Sequence, residues 1–387
     1  MEITTLKEAA QRGDTTAQFE LGEVLYLGQE IELDLREAAS WYERAARKGH
    51  VAAQHKIGMM YFLGQGVGQN LREAATWFYR AAEEGYPDAM YNYALLCENG
   101  SGCEINLLLA AEWYEKAALE GHIDAAFNLA LLYHQGRGGV PQDFLKATQF
   151  YGFASEAGQM QAQFNLALLY HQGMGVPRDA TRAAQLYRLA AEQGYVIAQC
   201  NLAIMLHQGD GLSPNLQEAY YYYRLAAESG HVTAQYLLGR MFANGEGVPL
   251  DHKESVKWLT RAAEQGHVKA QYDLAIKMSR GEGILKDMHQ VASWLGKAAD
   301  QGYGKAVYSL GVLFRLGDGI EKNLEFAFEC LSKAANEGHP EAQYLLGVML
   351  ENGEGTKKNI GSAAKWYAKA TKQGHERALK RLSELHD

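Results

Sequence analysis

Apolar and small residues recur along this chain with the period of a helix. They fall at Ala17, Leu21, Gly22 and Leu25, and Gly28 then stands where a left-handed residue would end the helix. A second stripe follows at Ala38, Trp41, Tyr42, Ala45 and Ala46, with Arg36, Glu37, Glu43, Arg44 and Arg47 on its other side. That pattern predicts an amphipathic helix. The pair, helix A then helix B, repeats. Glycine stands at Gly13, Gly49, Gly85, Gly121, Gly158, Gly194, Gly230, Gly266, Gly302, Gly338 and Gly374, in steps of 36 residues except one of 37. Alanine follows each by four residues, from Ala17 to Ala378, and a second glycine follows by fifteen, Gly28 through Gly353, in all ten complete units. The long step contains Gly139, an extra residue between Gly136 and Pro141, and an insertion marks a loop. The ten residues FNLALLYHQG at Phe127 to Gly136 recur unchanged at Phe164 to Gly173. Such a period signals a stacked array.

Helix B has its own start signal. Six residues after the second glycine, or seven in the unit with the inserted Gly139, stand Asp34, Asn70, Asn106, Asp143, Asp179, Asn215, Asp251, Asp287, Asn323 and Asn359. Their short side chains can accept a hydrogen bond from the first turn's unpaired amides. Glu37, Glu73, Glu218, Glu254 and Gln290 lie three residues further on and predict capping boxes in half the units. All six tryptophans, Trp41, Trp77, Trp113, Trp258, Trp294 and Trp366, share one place in the helix B stripe, which makes them expected core. Paired alanines such as Ala81 and Ala82 let neighbouring helices approach closely.

A 36-residue helical pair with a GxG connector, a Trp-Tyr pair and a closing AAxxGH resembles the Sel-1-like repeat family, relatives of tetratricopeptide repeats. The stretches AASWYERAARKGH (Ala38 to His50) and SVKWLTRAAEQGHVKAQYDLA (Ser255 to Ala275) match that pattern at nearly every fixed position. Departures occur at Glu30, where the first unit lacks the second loop glycine, and at Phe150, Leu186, Tyr222 and Cys330, which replace the tryptophan. The resemblance implies an all-α fold, a right-handed α/α superhelix (solenoid) of ten helix-turn-helix repeats whose helices A line a concave surface. The expected repeats are 14–49, 50–85, 86–121, 122–158, 159–194, 195–230, 231–266, 267–302, 303–338 and 339–374, with a capping helix at 1–13 and another at 375–387.

For 387 residues a continuous period points to one elongated domain with neighbour-only contacts. A net charge of −9 argues against a general nucleic-acid binder. The opening MEITTLKEAAQRG has no apolar run, so neither a signal peptide nor a membrane span is expected there. Some members of the family staple each repeat with a disulfide, which needs paired cysteines in register; Cys97, Cys103, Cys200 and Cys330 fall at unrelated places. A reducing compartment follows, so the expected location is the cytoplasm, or a host reached without a cleavable signal. Cys97 and Cys103 could still approach each other around the connector of the third unit.

Motifs with chemical meaning are few. Nine connectors contain GxG, yet each joins helix to helix and lacks the third glycine of a dinucleotide fingerprint. SAAK at Ser362 to Lys365 matches the S-x-x-K of serine β-lactamases, an activity sometimes attributed to relatives of the family, but neither SDN nor KTG occurs. His50, His122, His231, His267, His339 and His375 exchange with Tyr86, Tyr195 and Tyr303 after the turn glycine, which indicates packing. His134, His171 and His207 form a ladder in three successive units, but neighbouring helices about 8–10 Å apart cannot bring all three to about 2 Å from one zinc. No enzyme activity, cofactor or metal is expected.

What distinguishes one part of the array is a stripe of primary amides. Seven residues after the turn glycine, units three to six have Asn92, Asn128, Asn165 and Asn201, where the others have Glu20, Lys56, Leu237, Asp273, Ser309 and Leu345. Seven further on, on the same helix face, come Asn99, Gln135, Gln172 and Gln208. An amide offers donor and acceptor together, so the stripe suits the backbone of an extended peptide. In YYYY at Tyr220 to Tyr223, Tyr222 and Tyr223 take stripe positions while Tyr221 falls on the solvated face, as interface anchors do. The expected function is a monomeric protein-interaction scaffold that binds a protein or peptide over repeats three to six. The alternatives are a bacterial effector using the same scaffold on host proteins and, more remotely, a β-lactam-binding or hydrolytic enzyme. From Gly355 onward eight Lys or Arg face three Asp or Glu, so the last repeat and its cap are basic, either as a solvated cap or as an acidic docking site.

Overall fold

The computed structural model describes residues 3–28 and 31–385. Glu30 lies outside them, as do residues 1–2 and 386–387 of the two expected caps. Among the described residues every regular element is a helix. The chain divides into two compact units, Met1–Tyr195 and Val196–Asp387.

The first unit contains α1 (Ile3–Arg12), α2 (Thr15–Leu27), α3 (Leu35–Arg47), α4 (Val51–Leu63), α5 (Leu71–Glu83), α6 (Pro87–Asn99), α7 (Leu107–Leu119), α8 (Ile123–Gln135), α9 (Phe144–Glu156), α10 (Met160–Gln172) and α11 (Ala180–Glu192). The second contains α12 (Val196–Gln208), α13 (Leu216–Glu228), α14 (Val232–Asn244), α15 (His252–Glu264), α16 (Val268–Arg280), α17 (Met288–Asp300), α18 (Gly304–Leu316), α19 (Leu324–Asn336), α20 (Pro340–Asn352), α21 (Ile360–Lys372) and α22 (Glu376–Glu384). Within each unit consecutive helices pack on one another.

The punctuation acts as the sequence predicts. Gly28 ends α2 in the left-handed conformation at φ 64°, and its N–H returns to the Val24 carbonyl. All ten Asp or Asn residues before the B helices accept a first-turn amide. The capping boxes do not close. Their second half needs the cap residue's own N–H, and that group already donates to the preceding helix: Asp34 to Leu25, Asn70 to Tyr61, Asn215 to Leu206 and Asp251 to Phe242. Glu37 instead accepts from the Trp41 indole, and Gln290 donates to the Asp287 carboxylate.

Two further devices join the repeats. The second loop glycine lies on the first residue of the preceding helix B: a Cβ at Gly66, where φ is +70°, would stand 2.0 Å from the Leu35 carbonyl oxygen. Buried glutamines form a ladder beneath the turns. In the second unit the Gln235 side chain donates to the Ala227 carbonyl at 3.1 Å and accepts from Gln265 at 2.8 Å, and the same arrangement recurs at Gln271 with Gln301 and at Gln343 with Gln373. A buried amide is tolerated because it is paired.

Trp41, Trp77, Trp113 and Trp258 are core, whereas Trp294 and Trp366 are half-buried against it. Each of the six has a basic side chain from the next helical turn over its ring, from Lys369 at 3.7 Å on Trp366 to Arg80 at 4.8 Å on Trp77. The ring therefore seals the core on one side and supports a cation on the other.

Candidate functional site

The amide stripe has two rows with different surroundings. The second row is on the surface: Asn99, Gln135, Gln172 and Gln208 are the last residues of α6, α8, α10 and α12, and all are exposed. The first row is not. Asn92, Asn128, Asn165 and Asn201 are half-buried. Asn92 donates to His55 Nε2 at 2.9 Å and lies 3.6 Å from the Met59 sulfur. Asn128 donates to the Tyr114 hydroxyl at 3.3 Å. The Nδ2 donors of both amides are thus engaged within the protein, which the sequence pattern does not reveal because spacing fixes a helix face and not what leans over it.

At the joint of repeats two and three, both rows meet in one cleft. Asn92 and Asn99 line it together with Met59, Phe62, Phe78 and Leu95, enclosing about 150 Å³. The floor is apolar and the amides stand at its edge. Its signal in the sequence was Phe62, an exposed phenylalanine on helix A of repeat two.

The next joint is closed by polar contacts. The Tyr114 hydroxyl donates to Glu98 Oε2 at 2.8 Å, and Glu98 pairs with Arg137 of the following connector. Burial and the Glu98 carboxylate raise the Tyr114 hydroxyl well above its ordinary range, so it remains a donor. Asn128 completes this network from α8.

The histidine ladder is also structural. His134 Nδ1 meets the Tyr151 hydroxyl at 3.4 Å, with burial lowering the imidazole pKa, and His207 lies 3.1 Å from Glu246. His171 stands edge-on to Tyr187 at 6.3 Å. The turn histidines do more than pack. In His50, His122, His231, His267, His339 and His375, Nδ1 accepts the N–H of the alanine three residues on, which caps helix A. His50, His122, His267 and His339 also stack on Phe19, Tyr91, Tyr236 and Tyr308 at 4.3–4.4 Å. Tyr86 and Tyr303 take the same place without the capping bond and keep only a ring contact, tilted against His55 at 5.1 Å and edge-on to Tyr272 at 5.3 Å.

The remaining candidates fall apart from the cleft. Tyr221 on α13 is exposed and edge-on to Tyr222, which with Tyr223 is buried. Ser362 is half-buried in the first turn of α21, where its amide donates to Asn359, and Lys365 is exposed. The basic end is partly neutralised: Arg377 pairs with Glu341, Arg381 with Glu351 and Glu384, and Lys369 covers Trp366. Among the described residues no group of three or more His, Cys, Asp or Glu is placed to hold a metal ion, and no helix is long and apolar enough to cross a membrane.

The model of the Sel1 repeat matches ten times, at 15–50, 51–86, 87–122, 123–159, 161–195, 196–231, 232–267, 268–303, 304–339 and 340–375. No curated protein matches the chain. Among solved structures it is similar to c5321, a protective antigen present in uropathogenic Escherichia coli strains that displays an SLR fold. The identity is 33% and the TM-score 0.87, covering 100% of this chain and 82% of that one. It is also similar to a Sel1 repeat protein from Oxalobacter formigenes, at 31% identity and a TM-score of 0.61, covering 81% of this chain and 90% of that one. Ten consecutive matches, on the period that the turn glycines and buried alanines impose, make the chain a member of the Sel1 repeat family.

Proposed function

We propose that this Sel1 repeat protein is a non-enzymatic scaffold that holds an extended peptide segment of a partner protein on the helix A face of repeats three to five. The repeats over 14–374, capped by α1 and α22, are its frame. The observation that carries the reading is the cleft between α4 and α6, where two primary amides border an apolar floor with room for one side chain. Asn99 offers the peptide backbone a donor and an acceptor, and the floor takes an apolar anchor. Gln135 and Gln172, exposed at the ends of α8 and α10, continue the polar edge. In the second unit Asn201, Gln208 and Tyr221 have the same chemistry on α12 and α13 and belong to the reading on that ground.

The test is a selection from a random peptide library on the immobilised protein, followed by affinity measurement on a triple variant, Asn99→Ala, Gln135→Ala and Gln172→Ala. These three are exposed, so folding is preserved. Each lost hydrogen bond is worth about 0.5–1.5 kcal/mol, which together weakens binding roughly tenfold to a thousandfold. The control changes Glu112, Gln149 and Gln185 to alanine, exposed residues at one position on the B helices of the same repeats. Equal binding by both variants refutes the site. A second reading places the same face on a host protein outside the bacterium. It is supported by the whole-chain likeness to an antigen of uropathogenic strains, and it shares the mechanism.

A further inference from the structure

Repeat three departs from the array's own pattern at three core positions that converge in space. Eight residues after the turn glycine the other nine repeats have Leu or Ile, and this one has Tyr93. Twelve residues after it the others have Leu, Tyr, Phe or Met, and this one has Cys97. In the connector, where Val67, Val176, Val248, Ile284 and Ile320 stand in other repeats, it has Cys103. A pair that is hydrophobic in most other repeats, such as Val67 with Tyr61 or Ile320 with Phe314, is thus replaced by two thiols.

The two sulfurs are in contact, 3.9 Å apart, and both cysteines are free. Cys97 is buried in the last turn of α6, and Cys103 is half-exposed in the connector directly after Gly102. Tyr93 lies against the Cys97 thiol, whose pKa burial pushes up to about 12. Cys200 and Cys330 are buried singly in α12 and α19 of the other unit.

We propose that Cys97 and Cys103 are a dithiol site that closes to an intramolecular disulfide by exchange with a low-molecular-weight disulfide such as oxidised glutathione. Cys103, the accessible member, loses its proton to solvent and its thiolate attacks one glutathione sulfur, forming a mixed disulfide and expelling a glutathione thiolate. Cys97 then attacks the Cys103 sulfur and gives up its proton, the Cys97–Cys103 bond forms, and the second glutathione leaves. Both cysteines are oxidised and one oxidised glutathione becomes two reduced ones. The sulfurs must close from 3.9 Å to about 2.05 Å. The connector can supply this movement, because Gly100 and Gly102 flank the intervening residue in the left-handed region. The segment between the thiols includes Asn99, but the dithiol chemistry does not depend on peptide binding there.

The native protein is incubated with oxidised glutathione at about pH 8, quenched with an alkylating reagent and measured by intact mass and peptide mapping. The expected result is loss of two of the four thiols, read as two alkyl groups fewer than on the untreated protein together with the about 2 Da lost on forming the disulfide, and a cross-linked peptide joining Cys97 to Cys103. Cys103→Val, which restores the residue of other connectors and so keeps the fold, abolishes all three changes. A glutathione adduct that persists on Cys103, an unreactive wild type, or the same mass loss in Cys103→Val overturns the proposal.

Discussion

Replacing Trp113 by alanine removes the largest side chain of the third repeat from a position where it is 6% exposed. Its indole is edge-on to Tyr79 at 6.0 Å and to Tyr93 at 5.8 Å, and Lys116 Nζ lies 3.8 Å from the ring centroid. An aromatic side chain buries about 150–250 Å², which at about 25 cal/mol per Å² corresponds to roughly 4–6 kcal/mol. The retained Cβ and partial collapse of the cavity bring the expected loss to about 3–5 kcal/mol. Glu112→Ala, one residue away and exposed, should change stability by less than about 0.5 kcal/mol. Trp294→Ala, from a half-buried site, should fall between the two. Urea unfolding followed by far-ultraviolet circular dichroism measures the three variants. Hydrogen exchange over α6 and α7 shows whether the loss is local, as a repeat array with neighbour-only coupling requires. Equal unfolding midpoints for the Trp113 and Glu112 variants would refute the core assignment of helix B.

Acid should destabilise the array through its histidine caps. Burial lowers the pKa of His50, His231 and His267, whose Nδ1 atoms must stay unprotonated to accept a helix amide, so the unfolded chain binds more protons. The stability they contribute is complete above an unfolded value of about 6.5 and is lost as the pH falls below it. Asp273, raised by burial, acts in the opposite sense. Urea midpoints should therefore fall between about pH 7.5 and 5.5, and His50→Asn, a cap that does not titrate, should reduce the slope; a flat profile would contradict the capping role. Gly66→Ala should destabilise by more than about 1 kcal/mol, because its Cβ would meet the Leu35 carbonyl oxygen at a positive φ, while Gly68→Ala, with nothing within 4 Å, should be nearly neutral. Equal thermal midpoints for these two would show that the connector does not bear on the preceding repeat.

Much of this protein was legible from the chain alone, because helical punctuation is local chemistry. The αL glycine at Gly28 and the cap at Asp34 act within one turn of their own position, so a single sequence window contains both partners. Repetition then multiplies each signal, and even the Gly139 insertion declares itself as a break in the period. What depends on the neighbouring repeat could not be read this way. Whether Asn128 is a free surface amide or a strut to Tyr114 turns on a contact between α7 and α8, and the capping box at Glu37 fails because the Asp34 amide already has a partner on α2. The same limit explains why four tryptophans are sealed and two are not, and why Cys97 in the last turn of α6 and Cys103 in the connector six residues on come into sulfur contact. Periodicity specifies which face of a helix turns inward; only the packed structure decides which atoms of the next repeat arrive there.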